Sequence, residues 1–466
     1  ARTLPNNKQP LVIQFKRMPR TRTANFIHSP RTIIMDTYKI SNVGTKAKEK
    51  TGDPFIFTRE SPTAYFSFLN ASKHTFDYAR PPPIYMKLED INEKRNFSRE
   101  WINGEFKLEK NGELRVINED IKERQSGVLK EVFKNMANTL LEGKNITGLS
   151  LPVRIFEPRS HMERMLDDFH YFPFYMQRAV ASKDAVERLA LIMSAVVSGL
   201  HHCLSQMKPF NPLLGETFTG QIDAKTSIYL EHINHHPPIT AYLIIGDGWK
   251  LHGKWLYNAE LGPMRTKTFN EGWSTLVFDD GDTYKFNQPA FVLKGLVIGT
   301  RTFKVVGSLI AFNEAKGIKG VLKFGEKKKG FMGSMLGSKK NDVVVGQVYK
   351  YDAGVHDEAL QEKGWLKMLE KLQSTSDAKD VLGKLSGNWL VELKLNDKTL
   401  WNIDANAGDY TQHAFGDNPL PSDCRFREDI VWLSFGNEKY AQEWKTALEV
   451  QQREDRANRN KNRGTQ

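Results

Sequence analysis

Cysteine is nearly absent from this sequence, with two residues, Cys203 and Cys424, in 466. Neither belongs to a CxxC pair or a zinc-ligand spacing, so a disulfide-stapled fold and a zinc ribbon are both excluded and a reducing compartment is expected. Long apolar runs are also missing. The longest, LALIMSAVVSGL over 189–200, has 12 residues; that is too short to span a bilayer and suits a buried helix. No signal-peptide pattern opens the chain, and Ala1 reads as a trimmed or Met-processed start. The first 35 positions hold no Asp or Glu but seven Lys or Arg, with Pro5, Pro10, Pro19 and Pro30 among them. Four prolines forbid one continuous helix, so an extended basic arm is expected. Organellar targeting segments share the lack of acids, although these prolines spoil the amphipathic helix they need. There is no P-loop, dinucleotide fingerprint, GxSxG elbow, HExxH or HxxEH, and no repeat of solenoid period. Neither a cofactor nor a catalytic residue is expected.

The chain does have charge. At 26% charged and 39% hydrophobic, with a net charge of +12, it reads as a globular protein with an anionic partner. Nucleic acid, an anionic membrane and a phosphorylated ligand all qualify on charge. The first has no ribonucleoprotein or helix-turn-helix signal behind it and is set aside. EFKLEKNGELRVI (105–117) alternates apolar residues around Asn111-Gly112, a hairpin signal. Leu129, Val132, Phe133, Met136 and Leu140 recur at helical spacing, on a helix that either packs on the core or moves as a lid. Another helical stretch is expected over about 184–207. From 213 to about 350 short strands alternate with tight turns such as Asp280-Gly281, the pattern of an antiparallel meander closed into a barrel or sandwich. Helical period returns over 438–456.

EHINHHPPITAYL (231–243) is the densest constellation. Successive strand residues face opposite sides, so His235 and His236 are poorly placed to share a metal ion, and no further His/Cys cluster accompanies them. Pro237-Pro238 ends the strand and stiffens its exit, which lets both imidazoles donate to one phosphate. His201-His202 has the same neighbour geometry without carboxylates nearby. In KPFNPLLGETF (208–218), Lys208 and Asn211 stand in a Pro- and Gly-rich turn and suit an anion. Lys445, Glu449 and Arg453 lie on one helical stripe, either as an ordinary ion-pair ladder or as part of a site.

These strings, in the order LPVRIFEPRS, KPFNP, HHPP, GNWL (387–390), LPSDCRFREDI (420–430) and the basic last helix, together resemble the oxysterol-binding-protein-related family of lipid-transfer proteins over roughly 120–456. The resemblance implies a mainly β (α+β) fold: a large, near-complete antiparallel β-barrel with an N-terminal helical lid and C-terminal helices, enclosing a lipid tunnel. It implies exchange of phosphatidylinositol 4-phosphate against a sterol or phosphatidylserine between membranes, with no covalent chemistry. His235 and His236 would grip the 4-phosphate, with Lys208, Asn211, Lys445, Glu449 and Arg453 as further headgroup contacts. Leu129, Val132, Phe133, Met136, Leu140 and Leu151 would form the lid and tunnel entrance.

Residues 1–118 are expected as a basic extension ending in the hairpin, and 119–466 as the lipid-binding domain. Within it the lid falls at about 120–145, the barrel and flanking helices at about 146–437, the last helix at 438–456 and a basic tail at 457–466. His232 and Asn234 replace the Gln and Ser usual in the family. The lysines interleaved with Phe331, Met332, Met335 and Leu336 fit a membrane-dipping loop or a solvated turn. A cytoplasmic protein working peripherally at membranes or membrane contact sites is expected. The alternative is a scaffolding subunit that keeps the barrel and docks a protein partner through its N-terminal extension.

Overall fold

The Asn111-Gly112 turn makes the expected hairpin in the computed structural model, which describes residues 99–125, 151–260, 264–296, 299–327, 339–406 and 419–463, with single positions at 127–134 and 414–415. Gly112 sits at φ +75°, left-handed backbone that glycine enters without a Cβ clash. It joins β1 (Phe106–Leu108) to β2 (Leu114–Val116), flanked by α1 (Arg99–Glu105) and α2 (Glu119–Gln125). The chain divides into two compact units: Lys94–Cys424, and Ala1–Glu93 with Arg425–Gln466.

In the first unit a parallel pair, β3 (Phe156–Ser160) and β4 (Lys208–Phe210), brackets a helical layer of α3 (His161–Arg164), α4 (Phe172–Ala181) and α5 (Ala185–Gly199). The meander follows as β5 (Thr217–Asp223), β6 (Thr226–His235), β7 (Pro238–Gly246), β8 (Trp249–Glu260) and β9 (Arg265–Glu271). Then come β10 (Ser274–Phe278), β11 (Thr283–Phe286), β12 (Ala290–Lys294), β13 (Thr302–Val306), β14 (Ser308–Asn313) and β15 (Ile318–Lys327). After β16 (Lys339–Tyr351), helices α6 (Ala353–Leu360) and α7 (Trp365–Leu372) interrupt before β17 (Ala378–Asn388), β18 (Glu392–Leu395), β19 (Lys398–Asn402) and β20 (Ala414–Phe415).

All but β3 and β4 form one antiparallel sheet, which forks at β8. On one edge β8 pairs with β7; on the other its first half pairs with β10 and its second half with β9. One branch continues β9–β12–β13–β2–β1, the other β10–β11–β14–β15–β16–β17–β18–β19. The expected hairpin is therefore part of the main sheet, with Leu114 opposite Phe303.

The sheet curls because one helical layer serves strands far apart in the ladder. Phe169, just before α4, stacks on Trp255 of β8 at 5.6 Å. Phe172 meets Phe286 of β11, and the Tyr175 hydroxyl donates to the Leu400 carbonyl of β19. A flat sheet cannot present β8 and β19 to the same helices. Among the described residues no ladder joins β19 to β20, so the barrel is near-complete and remains open.

The helix expected over 184–207 ends as α-helix at Gly199 and tightens into a 3-10 turn, Leu200–Leu204. In the second unit α8 (Glu428–Ser434) leads into α9 (Glu438–Arg463), so residues 457–463, expected as a basic tail, are helical. Of the expected lid, Leu129, Phe133, Met136 and Leu140 lie outside the described residues, as do Phe331, Met332, Met335 and Leu336; Val132 is helical and buried, and Leu151 is half-buried.

Candidate functional site

Alternation along β6 buries Ile228, Leu230 and His232 and exposes Tyr229 and Ile233. In an unbroken strand His235 would face away from His232. The register shifts, however: His232 pairs with Thr240 but Asn234 pairs with Ile239, leaving Ile233 as a bulge. One extra residue reverses the parity, so His235, opposite Pro238, lies on the His232 side. His232 Nε2 is 3.1 Å from His235 Nδ1, and His232 Nδ1 is 3.1 Å from Thr240 Oγ1. β6 ends at His235 and β7 begins at Pro238, so His236 and Pro237, joined by a cis peptide bond, form the turn. The His235 and His236 rings meet edge to face at 4.8 Å, and Asn234 Nδ2 donates to the Pro237 carbonyl. Two adjacent histidines thus sit together at a hairpin tip.

The neighbouring loop is tied to this strand. Gly215 N–H donates to the His232 carbonyl and His232 N–H to the Glu216 carbonyl; the Glu216 carboxylate accepts from Ser160 Oγ and Leu213 N–H. Through Ser160 the loop reaches β3, which holds β4 by pairing Phe156 with Lys208. Lys208 Nζ donates to Asn211 Oδ1 at 2.6 Å and lies over the Phe156 ring at 4.8 Å. Helix α3 lies against both β4 and β6. Its first residue, His161, is held at about 3 by burial and then by the nearby Lys208 and Arg164 charges, so it stays neutral beside the ammonium.

Lys208 and Asn211 are therefore brought together, and His235 with His236. In the second unit, Lys445 is buried and its Nζ donates to Glu449 Oε1, while Arg453 two turns from Lys445 is exposed. His232 and His161 were not among the site residues expected from sequence. The one readable signal was His232 on the buried parity of β6.

Arg159 of EPRS makes a different use of its charge. It is buried and bidentate to Asp167 at 2.8 Å, with Glu163 as a further partner, so it organises the helical layer. The next residue, Asp168, is pushed up to about 7 by burial, although a hydrogen bond from the Cys203 thiol opposes the shift. His202, of the other adjacent pair, is buried with Nδ1 on the Asp167 carbonyl and held at about 3 by burial.

Across the β9 branch the strand pairs set one continuous inward face: Trp255 and Tyr257, Thr266 and Thr268, Phe291 and Leu293, Phe303 and Leu114. Trp255, Phe303 and Leu114 are buried, whereas Tyr257 is exposed and Thr268, Phe291 and Leu293 are half-buried. Where the β10 branch packs on helices, this part of the wall is an apolar lining only partly covered by described residues.

Comparison with known proteins adds a family match, two relatives and two solved structures. The family model described as oxysterol-binding protein matches residues 134–466. Oxysterol-binding protein 9 of Dictyostelium discoideum is 29% identical over 350 residues, covering 74% of this chain and 79% of that protein. Oxysterol-binding protein-related protein 8 of Mus musculus is 28% identical over 293 residues, 60% of this chain and only 29% of that longer protein. Among solved structures, the Osh3 ORD of Saccharomyces cerevisiae in complex with PI(4)P matches with TM-score 0.51 at 23% identity, over 69% of this chain and 84% of that one. The Osh1 ORD domain in complex with cholesterol matches with TM-score 0.52 at 19% identity, over 69% and 78%. At these identities the structures establish the fold.

Proposed function

The chain belongs to the oxysterol-binding protein family, matched over residues 134–466, and on that premise we propose that it binds single lipids and carries them between membranes. The observation behind this reading is the hairpin tip, where a bulge turns His235 toward His232 and the turn sets His236 beside it. Imidazole N–H groups and an ammonium are the donors a phosphate monoester needs. His235 and His236 grip the 4-phosphate of phosphatidylinositol 4-phosphate, and Lys208 and Asn211 meet the headgroup. The lipid tail lies along the inward wall of Tyr257, Phe291 and Leu293, since hydrocarbon prefers a dry lining and the headgroup needs donors. Residues 120–145 act as the lid.

The relative crystallised with PI(4)P supports the first cargo; the second is a sterol, as in the relative crystallised with cholesterol, or phosphatidylserine. Binding and release alone move the lipid, so no covalent step is required. The net charge of +12 favours anionic membrane surfaces, and the protein works peripherally on the cytoplasmic side of membranes or at contact sites. The test is extraction of phosphatidylinositol 4-phosphate from liposomes by His235→Ala/His236→Ala. Losing two charge-assisted bonds of about 1.5–3 kcal/mol each predicts a roughly hundredfold or greater loss, with the lipid-free melting temperature unchanged. Undiminished extraction overturns the reading.

A further inference from the structure

Arg301 is a buried cation that no acid meets among the described residues. Only 8% of it is exposed, its Nη1 donates to the neutral Gln125 Oε1 at 2.7 Å, and its Nε has no hydrogen-bond partner among the described residues. No carboxylate pairs with it there. Glu113, in the β1–β2 hairpin and of opposite parity to Leu114, is committed to Lys294, Lys304 and Thr302. Burial accordingly lowers the Arg301 pKa with no charge acting the other way. A guanidinium taken out of water is costly unless an anion meets it, and arginine is the side chain that best matches a phosphate geometrically.

Its position is fixed from two sides. The Arg301 carbonyl accepts from Val116 N–H, which continues the β2–β13 ladder and gives Arg301 the parity of Phe303. That is the inward face shared with Leu293 and Thr266. Gln125, its hydrogen-bond partner among the described residues, also donates to the Gln206 carbonyl and to Met207 Sδ, immediately before Lys208. Arg301 thus stands on the lining wall and is linked by a single side chain to the strand that carries Lys208.

We propose that Arg301 is an anion subsite of the lipid-binding wall that pairs with the phosphodiester of an anionic glycerophospholipid, so that the second cargo is such a phospholipid, phosphatidylserine by its chemistry, and not a sterol. This rests on the lipid-binding reading above. A sterol has one hydroxyl and no anion, and laid against this wall it would leave the guanidinium covered and uncompensated. A glycerophospholipid brings the missing charge one linkage away from its headgroup. Arg301 then acts on phosphatidylserine and phosphatidylinositol 4-phosphate alike, whereas His235 and His236 act on the latter only.

The experiment compares the full chain with Arg301→Met and Arg301→Lys in extracting phosphatidylserine, phosphatidylinositol 4-phosphate and cholesterol from liposomes, with lipid-free melting temperatures recorded. The wild type is expected to extract phosphatidylserine in preference to cholesterol. Arg301→Met should lose phosphatidylserine extraction by roughly tenfold to a hundredfold, with phosphatidylinositol 4-phosphate reduced and cholesterol undiminished. Arg301→Lys should recover much of the loss. Cholesterol preferred by the wild type, unchanged phosphatidylserine extraction by Arg301→Met, or equal loss of every cargo with a fall in melting temperature in both variants would each overturn the proposal. If phosphatidylinositol 4-phosphate extraction depends on His235 and His236 while Arg301 variants behave as wild type, the lipid-binding reading stands and this one falls. If the wild type extracts no lipid at all, both fall.

Discussion

His232 Nε2 and His235 Nδ1 lie 3.1 Å apart, so one ring donates to the other and the proton's placement decides what His235 offers beyond. If Thr240 Oγ1 donates to His232 Nδ1 and His232 Nε2–H donates to His235 Nδ1, the proton of neutral His235 is on Nε2 and that atom is a donor. The reverse placement makes His235 Nε2 an acceptor, which repels a phosphate. In the first placement His232 is a positioning residue that sets the tautomer of its neighbour.

Replacing His232 with Phe should weaken extraction of phosphatidylinositol 4-phosphate by roughly tenfold, the value of one oriented hydrogen bond. His232→Gln keeps a side-chain N–H for His235 and should retain most of the activity. Liposome extraction read beside lipid-free melting curves checks this. Equal losses in the two variants would mean that His232 is only core.

Acid should loosen the hairpin through Glu113. Burial pushes its carboxyl up, but hydrogen bonds from Lys294 and Lys304 outweigh that and hold it at about 2, against an ordinary 4.5. A depressed carboxylate contributes stability that is fully present above about 4.5 and is lost as pH falls toward about 2. Glu113→Gln should cost about 2 kcal/mol at neutral pH. Denaturant titrations should find that difference shrinking through this acid window.

Asp168 should behave with the opposite sign. Its raised pKa, about 7 against an ordinary 3.8, follows from burial. The protonated form is the one that suits the fold, so its contribution is present below about 3.8 and is lost as pH rises through about 7. Asp168→Asn keeps an oxygen for the Cys203 thiol and removes the titration. At pH 8 the variant should be more stable than wild type by about 1–3 kcal/mol, with the two converging near pH 4. A variant less stable at pH 8 would mean that the carboxylate is needed ionised.

Sequence carried the antiparallel meander because period-2 alternation and Asp-Gly or Asn-Gly turns are local signals, and it carried the hairpin for the same reason. The pairing of β2 with β13 was hidden, since contacts between residues nearly two hundred positions apart leave no local trace. The bulge at Ile233 was hidden too. Pure alternation puts His232 and His235 on opposite faces, and only the register with β7 reverses it. Helices α6 and α7, with Asp352 capping the first, are eight residues each and were lost beside the strand pattern that precedes them. Nothing in the sequence singles out Arg301, because the absence of an acid beside it among the described residues is a fact of packing.

The hairpin of β1 and β2 precedes the first family-matched residue, 134, yet covers one edge of β13. Deleting it would bare the backbone donors and acceptors of Thr302 and Phe303 and uncover the apolar Phe303, which β2 now shields. An uncovered strand edge is a template for another chain. Expressing only the family-matched part should therefore give a protein that self-associates into sheet-rich aggregates, an outcome that light scattering of the shortened and full chains would check.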